Sequence, residues 1–168
     1  MYSIGYDIGS SSIKAALIDT NSGKSVAVIS EPSVEMGMIA HKNGWAEQHP
    51  NDWWQHVCTA TKRLINENGI DPSQITGVGI SYQMHGLVVV DQNGEPLRES
   101  IIWCDSRAVP IGQKAFDELG NEKCSKHLLN SPANFTASKL KWVKENEPEN
   151  YKRIHKFMLP GDYVAYKL

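Results

Sequence analysis

A carboxylate, a glycine, three hydroxyls and a cation follow one another in Asp7-Ile8-Gly9-Ser10-Ser11-Ser12-Ile13-Lys14. The backbone N–H groups and short hydroxyls of such a turn suit phosphate oxygens, while Asp7 can hold a hydrated Mg²⁺ and Lys14 can neutralise phosphate charge. A Gly-Ser turn that merely joins two strands uses the same residues. The segment is neither Gly-x-x-x-x-Gly-Lys-Ser/Thr nor Gly-x-Gly-x-x-Gly, and it feeds a strand where both of those motifs feed a helix. A P-loop or dinucleotide site is therefore disfavoured.

Two further segments carry chemistry. Gln83-Met84-His85-Gly86 interrupts an apolar strand pair with hydrogen-bonding side chains, next to a glycine that lets another backbone approach closely. It has the character of a rim that reads hydroxyls of a small polar ligand, or of a bend with a satisfied structural histidine. In Trp103-Cys104-Asp105-Ser106-Arg107, Asp105 or Ser106 can cap the following helix. Equally, Asp105 and Arg107 can pair and present a polar edge beside an indole, an arrangement suited to sugars, whose C–H faces stack while their hydroxyls need fixed partners. Cys104 has no adjacent base to activate it. His49 and His56 lie seven apart and could share a helical face, but no further ligands stand at zinc spacing. Lys139, Lys141 and Lys144 read as a solvated helix face.

The elements that must position these residues follow from local patterning. Residues 3–8, 13–19 and 25–30 read as three antiparallel strands joined by tight turns. Residues 31–49 read as a long loop of the kind that often serves function. From Asn51 to Asn68 the apolar spacing is that of one face of an amphipathic helix, closed by Gly69. Segments 75–82 and 87–91 read as a second strand–break–strand, and Ile101-Ile102-Trp103 as a further strand. A helix is expected after Ala108 up to Gly120 and another over Thr136–Glu147, stopped by Pro148, with Lys156–Leu159 as a last strand. Strands first, then strands and helices in alternation, imply an α/β mixed sheet with flanking helices in an undivided domain, since no linker stands out. The end inside a patterned segment reads as a truncated chain.

Composition sets the outer bounds. The chain has 168 residues, 17 basic against 19 acidic side chains and a formal net charge of −2, so no electrostatic reason exists to expect nucleic acid or a membrane surface as partner. The N-terminus lacks a signal-peptide pattern, and no stretch approaches 18 consecutive apolar residues. Three cysteines without Cys-x-x-Cys spacing suggest neither a disulfide framework nor a zinc ribbon, and the expected compartment is the reducing cytoplasm.

Taken in order, the segments Gly5 to Lys14, Gly44-Trp45-Ala46-Glu47-Gln48-His49-Pro50 with Asp52-Trp53-Trp54, Gln83 to Gly86, and Ile102 to Arg107 resemble the N-terminal part of the FGGY carbohydrate kinases. The Gln-Met-His-Gly run is most similar to the xylulokinase branch. The resemblance runs through Leu159-Pro160-Gly161-Asp162-Tyr163. It implies an actin-like ATPase, ribonuclease H-like fold: the first of two lobes, with the second lying beyond these residues. It also implies ATP-dependent phosphorylation of a ketopentose hydroxyl, the 5-hydroxyl of D-xylulose, with ATP and Mg²⁺ as cofactors. By position, Gly9, Ser10, Ser11, Ser12 and Lys14 would face phosphate oxygens, and Asp7 would face Mg²⁺ through water. Gln83, Met84 and His85 would contact the sugar, flanked by Trp103, Asp105 and Arg107. The implied partner is a small-molecule sugar, and a homodimer is compatible with the pattern. The family's catalytic base, an aspartate in a Gly-Gly-Asp segment, has no counterpart here, so residues 1–168 alone are expected to be inactive. The competing expectations are a stand-alone sugar- or protein-binding module without turnover, and a metal-dependent phosphohydrolase with carboxylates clustered near Asp7.

Overall fold

Burial alternates along the first two strand segments: Ile4, Tyr6 and Ile8 are buried, then Ile13, Ala15 and Leu17, with the residues between them more exposed. Period-two burial of this kind makes one face of a pleated sheet the core face. The computed structural model describes all residues, Met1–Leu168. In chain order the elements are β1 (Tyr2–Ile8), β2 (Ile13–Asp19), β3 (Ser25–Glu31), β4 (Glu47–Gln48), α1 (Pro50–Glu67), β5 (Ile75–Tyr82), β6 (Val88–Val90), β7 (Ser100–Ile101), α2 (Val109–Leu119), α3 (Asn121–Leu128), α4 (Thr136–Asn146), α5 (Pro148–Arg153), β8 (Lys156–Met158) and α6 (Pro160–Lys167).

Two compact units share the chain, and their segments interleave. The first comprises Met1–Gly37, Pro50–Gln83 and Gly161–Leu168; the second comprises Met38–His49 and Met84–Pro160. No linker announces this division because the chain passes between the units within continuous folded sequence.

In the first unit the strand order is β3-β2-β1-β5, with β1–β2 and β2–β3 antiparallel and β1–β5 parallel, which makes the sheet mixed as expected. Helix α1 lies against β2 and β3 and buries Trp53, Val57, Ala60 and Leu64 at helical spacing. Full burial of an aliphatic side chain such as Ile8, Ile13 or Leu64 contributes about 1.5–3 kcal/mol each. One polar tie crosses this core. The Thr61 hydroxyl donates to the Val57 carbonyl at 2.6 Å, leaving its oxygen to accept from the Tyr6 phenol at 2.6 Å.

In the second unit β4 pairs with β7 and β6 with β8, both antiparallel. Its core joins Leu87, Val89, Ile101 and Val143, with Leu140, Trp142, Tyr151 and Ile154 packed around them. The expectation that residues 87–91 continue the sheet of 75–82 is corrected here: β6 pairs with β8, not with β5. The intervening bend diverts the chain, and all three β6 valines are buried, the pattern of a strand covered on both faces. The expected strand at 156–159 is present as β8. Three helices were not expected. Pro148 does follow the end of α4 as expected, but it also begins α5, and Pro160 begins α6, since a proline at the first helical position gives up only an N–H that would have no helical partner. No helix of the chain is long and apolar enough to cross a membrane.

Candidate phosphate hairpin and sugar-reading bend

The β1–β2 connection is the Gly9–Ser12 turn, closed by the Gly9 N–H donating to the Ser12 carbonyl at 3.1 Å. A Cβ at position 9 would stand 2.8 Å from that carbonyl oxygen, so a side chain there would force the turn open. Ile8 and Ile13 anchor its base in the core, and the alternation of strand side chains turns their neighbours Asp7 and Lys14, directly opposed in register, to the other face. Lys14 Nζ stands 3.8 Å from Asp7 Oδ2, with both side chains more than half exposed. Such a pair contributes about 0–1 kcal/mol, so either group can be given to a ligand with little loss of stability. Ser11 is exposed, and its carbonyl accepts the Met36 N–H at 2.8 Å. The donor set fits phosphate oxygens: small hydroxyls and turn amides beside one cation, with one carboxylate for a hydrated divalent ion.

The Gln83 N–H donates to the Ile8 carbonyl at 2.9 Å, extending the β1–β5 ladder to the start of the bend. Both polar atoms of the Gln83 carboxamide are buried without a hydrogen-bond partner. A buried group left unmade costs about 1–3 kcal/mol. In the second unit, the Met84 side chain is largely exposed. His85 holds φ 60°, a left-handed conformation that costs a non-glycine residue about 1–3 kcal/mol and is a recurrent mark of functional sites. Its imidazole stacks on Phe135 with ring centroids 4.7 Å apart and planes 17° apart. Burial, aided by the Lys139 charge, lowers the His85 pKa below the ordinary histidine value, so the ring is neutral at pH 7 and can both donate and accept. Trp103 exposes nearly half of its surface, and its carbonyl accepts from the Asn134 side-chain amide.

Asp105 and Arg107 do pair, as one sequence reading has it, but neither presents an open polar edge. Asp105 is fully buried and engaged throughout: Oδ2 accepts from the Ala46 N–H at 2.6 Å and from Arg107 Nη2 at 2.7 Å, while Oδ1 accepts from the Arg107 N–H at 2.8 Å. It does not cap α2, whose N-cap, Ala108, makes no side-chain capping bond. The Arg107 guanidinium lies 3.7 Å from the Trp45 ring centroid and 4.9 Å from that of Trp142. Its Nη1 stands 2.7 Å from Glu47 Oε1, an ion pair whose angle departs from that of a hydrogen bond. Glu47 also takes Arg98 Nη2, and Arg98 Nη1 donates to Glu147 Oε1 at 2.7 Å. Sequence reasoning did not connect Glu47, Arg98 and Glu147, because the partners stand some fifty positions apart.

Lys139 is the clearest departure from expectation. It is fully buried rather than solvated, and its ammonium donates to the carbonyls of His85 and Asn134, each at 2.8 Å. His49 precedes α1, so it shares no helical face with His56, and it stands 3.8 Å from Glu99 instead.

Residues 2–168 match the family described as the FGGY family of carbohydrate kinases, N-terminal domain. The chain is 38% identical over 172 residues to a xylulose kinase of Bacillus subtilis (strain 168), covering 99% of this chain and 33% of that protein. Among solved structures, a xyloylose kinase from Brucella ovis matches with TM-score 0.88 and 32% identity, over 98% of this chain and 34% of that one. A gluconate kinase from Lactobacillus acidophilus matches with TM-score 0.84 and 29% identity, over 99% and 33%. The mixed sheet with flanking helices is thus the actin-like ATPase fold of these sugar kinases. The chain spans about a third of the length of the curated relatives it matches.

Proposed function

The chain belongs to the FGGY family of carbohydrate kinases, and from that membership we propose that it forms the N-terminal part of an enzyme phosphorylating D-xylulose at its 5-hydroxyl at the expense of ATP. The observation that carries the substrate is the 38% identity to a xylulose kinase across 99% of the chain, which includes the whole Gln83–Gly86 bend.

MgATP supplies the phosphoryl group. Ser10, Ser11, Ser12 and Lys14, on a turn that the Gly9 N–H closes onto the Ser12 carbonyl, would hold and neutralise phosphate oxygens, and Asp7 would hold the hydrated ion through water. Gln83, Met84 and His85 take the ketose: the carboxamide and the neutral imidazole meet hydroxyls, and the Met84 thioether and the Trp103 indole meet C–H faces. Asp105 and Arg107, being buried, act only by fixing the segment that carries Trp103. Phosphoryl transfer asks little covalent chemistry of a protein, so positioning and charge neutralisation dominate. A positioned base typically adds about 10²- to 10⁴-fold. Residues 1–168 hold no Gly-Gly-Asp segment to provide one, so this portion in isolation turns over no ATP with sugar.

The test is ketose-dependent ADP release by the full-length protein, assayed with D-xylulose, L-ribulose, D-gluconate and glycerol. The highest kcat/KM is expected with D-xylulose. A preference for gluconate or glycerol would replace the substrate, and a folded protein inactive with all four would remove the kinase reading.

A further inference from the structure

One short stretch of the second unit, Asn134 to Lys139, reaches both segments assigned to the sugar. Lys139 Nζ donates to the His85 carbonyl at 2.8 Å, and Thr136 Oγ1 donates to the Gly86 carbonyl at 3.2 Å. Phe135 lies flat against the His85 imidazole, and the Asn134 side chain donates to the Trp103 carbonyl. Lys139 also holds the Asn134 carbonyl at 2.8 Å, tying the stretch to itself. We propose that residues 134–139 form a clamp that sets the sugar-reading geometry, with Lys139 as its positioning residue: it holds His85 in its left-handed conformation and so aims the imidazole at the substrate.

The chemistry favours this over a merely structural lysine. A fully buried ammonium must be compensated, and here the compensation comes from main-chain carbonyls rather than a carboxylate. One of those carbonyls belongs to a non-glycine residue at φ 60°, a conformation that persists only where its surroundings over-determine it. Lys139, Thr136 and Phe135 provide three such constraints from one helix start. Lys141, two positions on, is exposed and pairs only with Glu145 at 3.7 Å, which makes it the control.

The inference rests on the sugar-kinase reading, and two measurements on the full-length protein keep the two separable. The first is the imidazole NMR signal of His85, shifted by the Phe135 ring beneath it. In Lys139→Met this signal is expected to move toward the position of an unstacked histidine, and in Lys141→Met to stay. The second is the kinetic split. Lys139→Met should raise the KM for D-xylulose about 10- to 100-fold, the loss of two charge-assisted hydrogen bonds, with the KM for MgATP within about twofold. The isosteric Thr136→Val, which removes one neutral hydrogen bond and leaves the fold intact, should raise it about threefold. An unmoved His85 signal with unchanged ketose KM in both variants overturns the clamp. A moved signal with unchanged ketose KM overturns its role in recognition. A moved signal in a protein that phosphorylates no sugar at all supports the clamp and refutes the kinase reading.

Discussion

Arg107 touches two carboxylates and two indoles, and all of these contacts are buried within the second unit. Truncating one member of such a network leaves charges in a low-dielectric interior without partners, which costs about 3–5 kcal/mol, whereas breaking an exposed pair costs about 0–1. Arg107→Met is therefore expected to lower the urea midpoint of the full-length protein strongly, and Lys14→Met hardly at all; equal midpoints would contradict the buried network. Lys139 yields a pH prediction. Burial pulls its ammonium down to about 8 from the ordinary 10.5. Between these values the unfolded chain retains a proton that the folded chain has released, so this group's contribution to stability rises with pH across that window. The stability of the wild type relative to Lys139→Met should be flat from about pH 6 to 7.5 and climb from about pH 8 to 10.5; a decline there would contradict the buried lysine. Some of this was legible in sequence. Asp7, Lys14 and His85 stand out as candidates by residue type and order, whereas Met84 enters only through the family resemblance. The Asp105–Arg107 pairing was legible too, but not its burial, because Glu47, Arg98 and Trp142 close over it from distant parts of the chain. Lys139 carried an overlooked signal: it stands four residues after Phe135 and four before Val143, which is buried, and so shares their helical stripe.

Helix α2 shows how closely the elements fit. A Cβ on Gly112 would lie 2.3 Å from Ala133 Cα and 2.4 Å from the Pro132 carbonyl oxygen. In an exposed helix Gly→Ala stabilises by about 0.5–1 kcal/mol, but here overpacking reverses the sign, and Gly112→Ala should cost about 1–3 kcal/mol. A lowered melting temperature, with faster amide exchange in α2, is the expected result; a raised one would contradict the contact of α2 with residues 132–134. At this scale α1 was legible from its helical period, and β1, β2, β3 and β5 as short apolar runs bounded by turn residues. Helix α3 was not, since its eight residues bury only Cys124, and α5 and α6 each open on a proline, of which Pro148 was read only as a stop.

In the proposed reading the chemistry is divided between segments that different elements hold: the hairpin of β1 and β2 belongs to the first unit, the Met84–His85 bend and residues 134–139 to the second. That interleaving was not legible, because local patterning records what each segment is and not which sheet it joins. If the hairpin serves phosphates and the bend serves sugar, the two can be impaired independently. The decisive measurement is the pair of Michaelis constants, for MgATP and for D-xylulose, in full-length Lys14→Met and His85→Leu. Lys14→Met should raise the MgATP constant about tenfold or more and leave the xylulose constant within about twofold, with the reverse for His85→Leu. Both substitutions acting on the same constant, or each on the wrong one, would contradict the assignment.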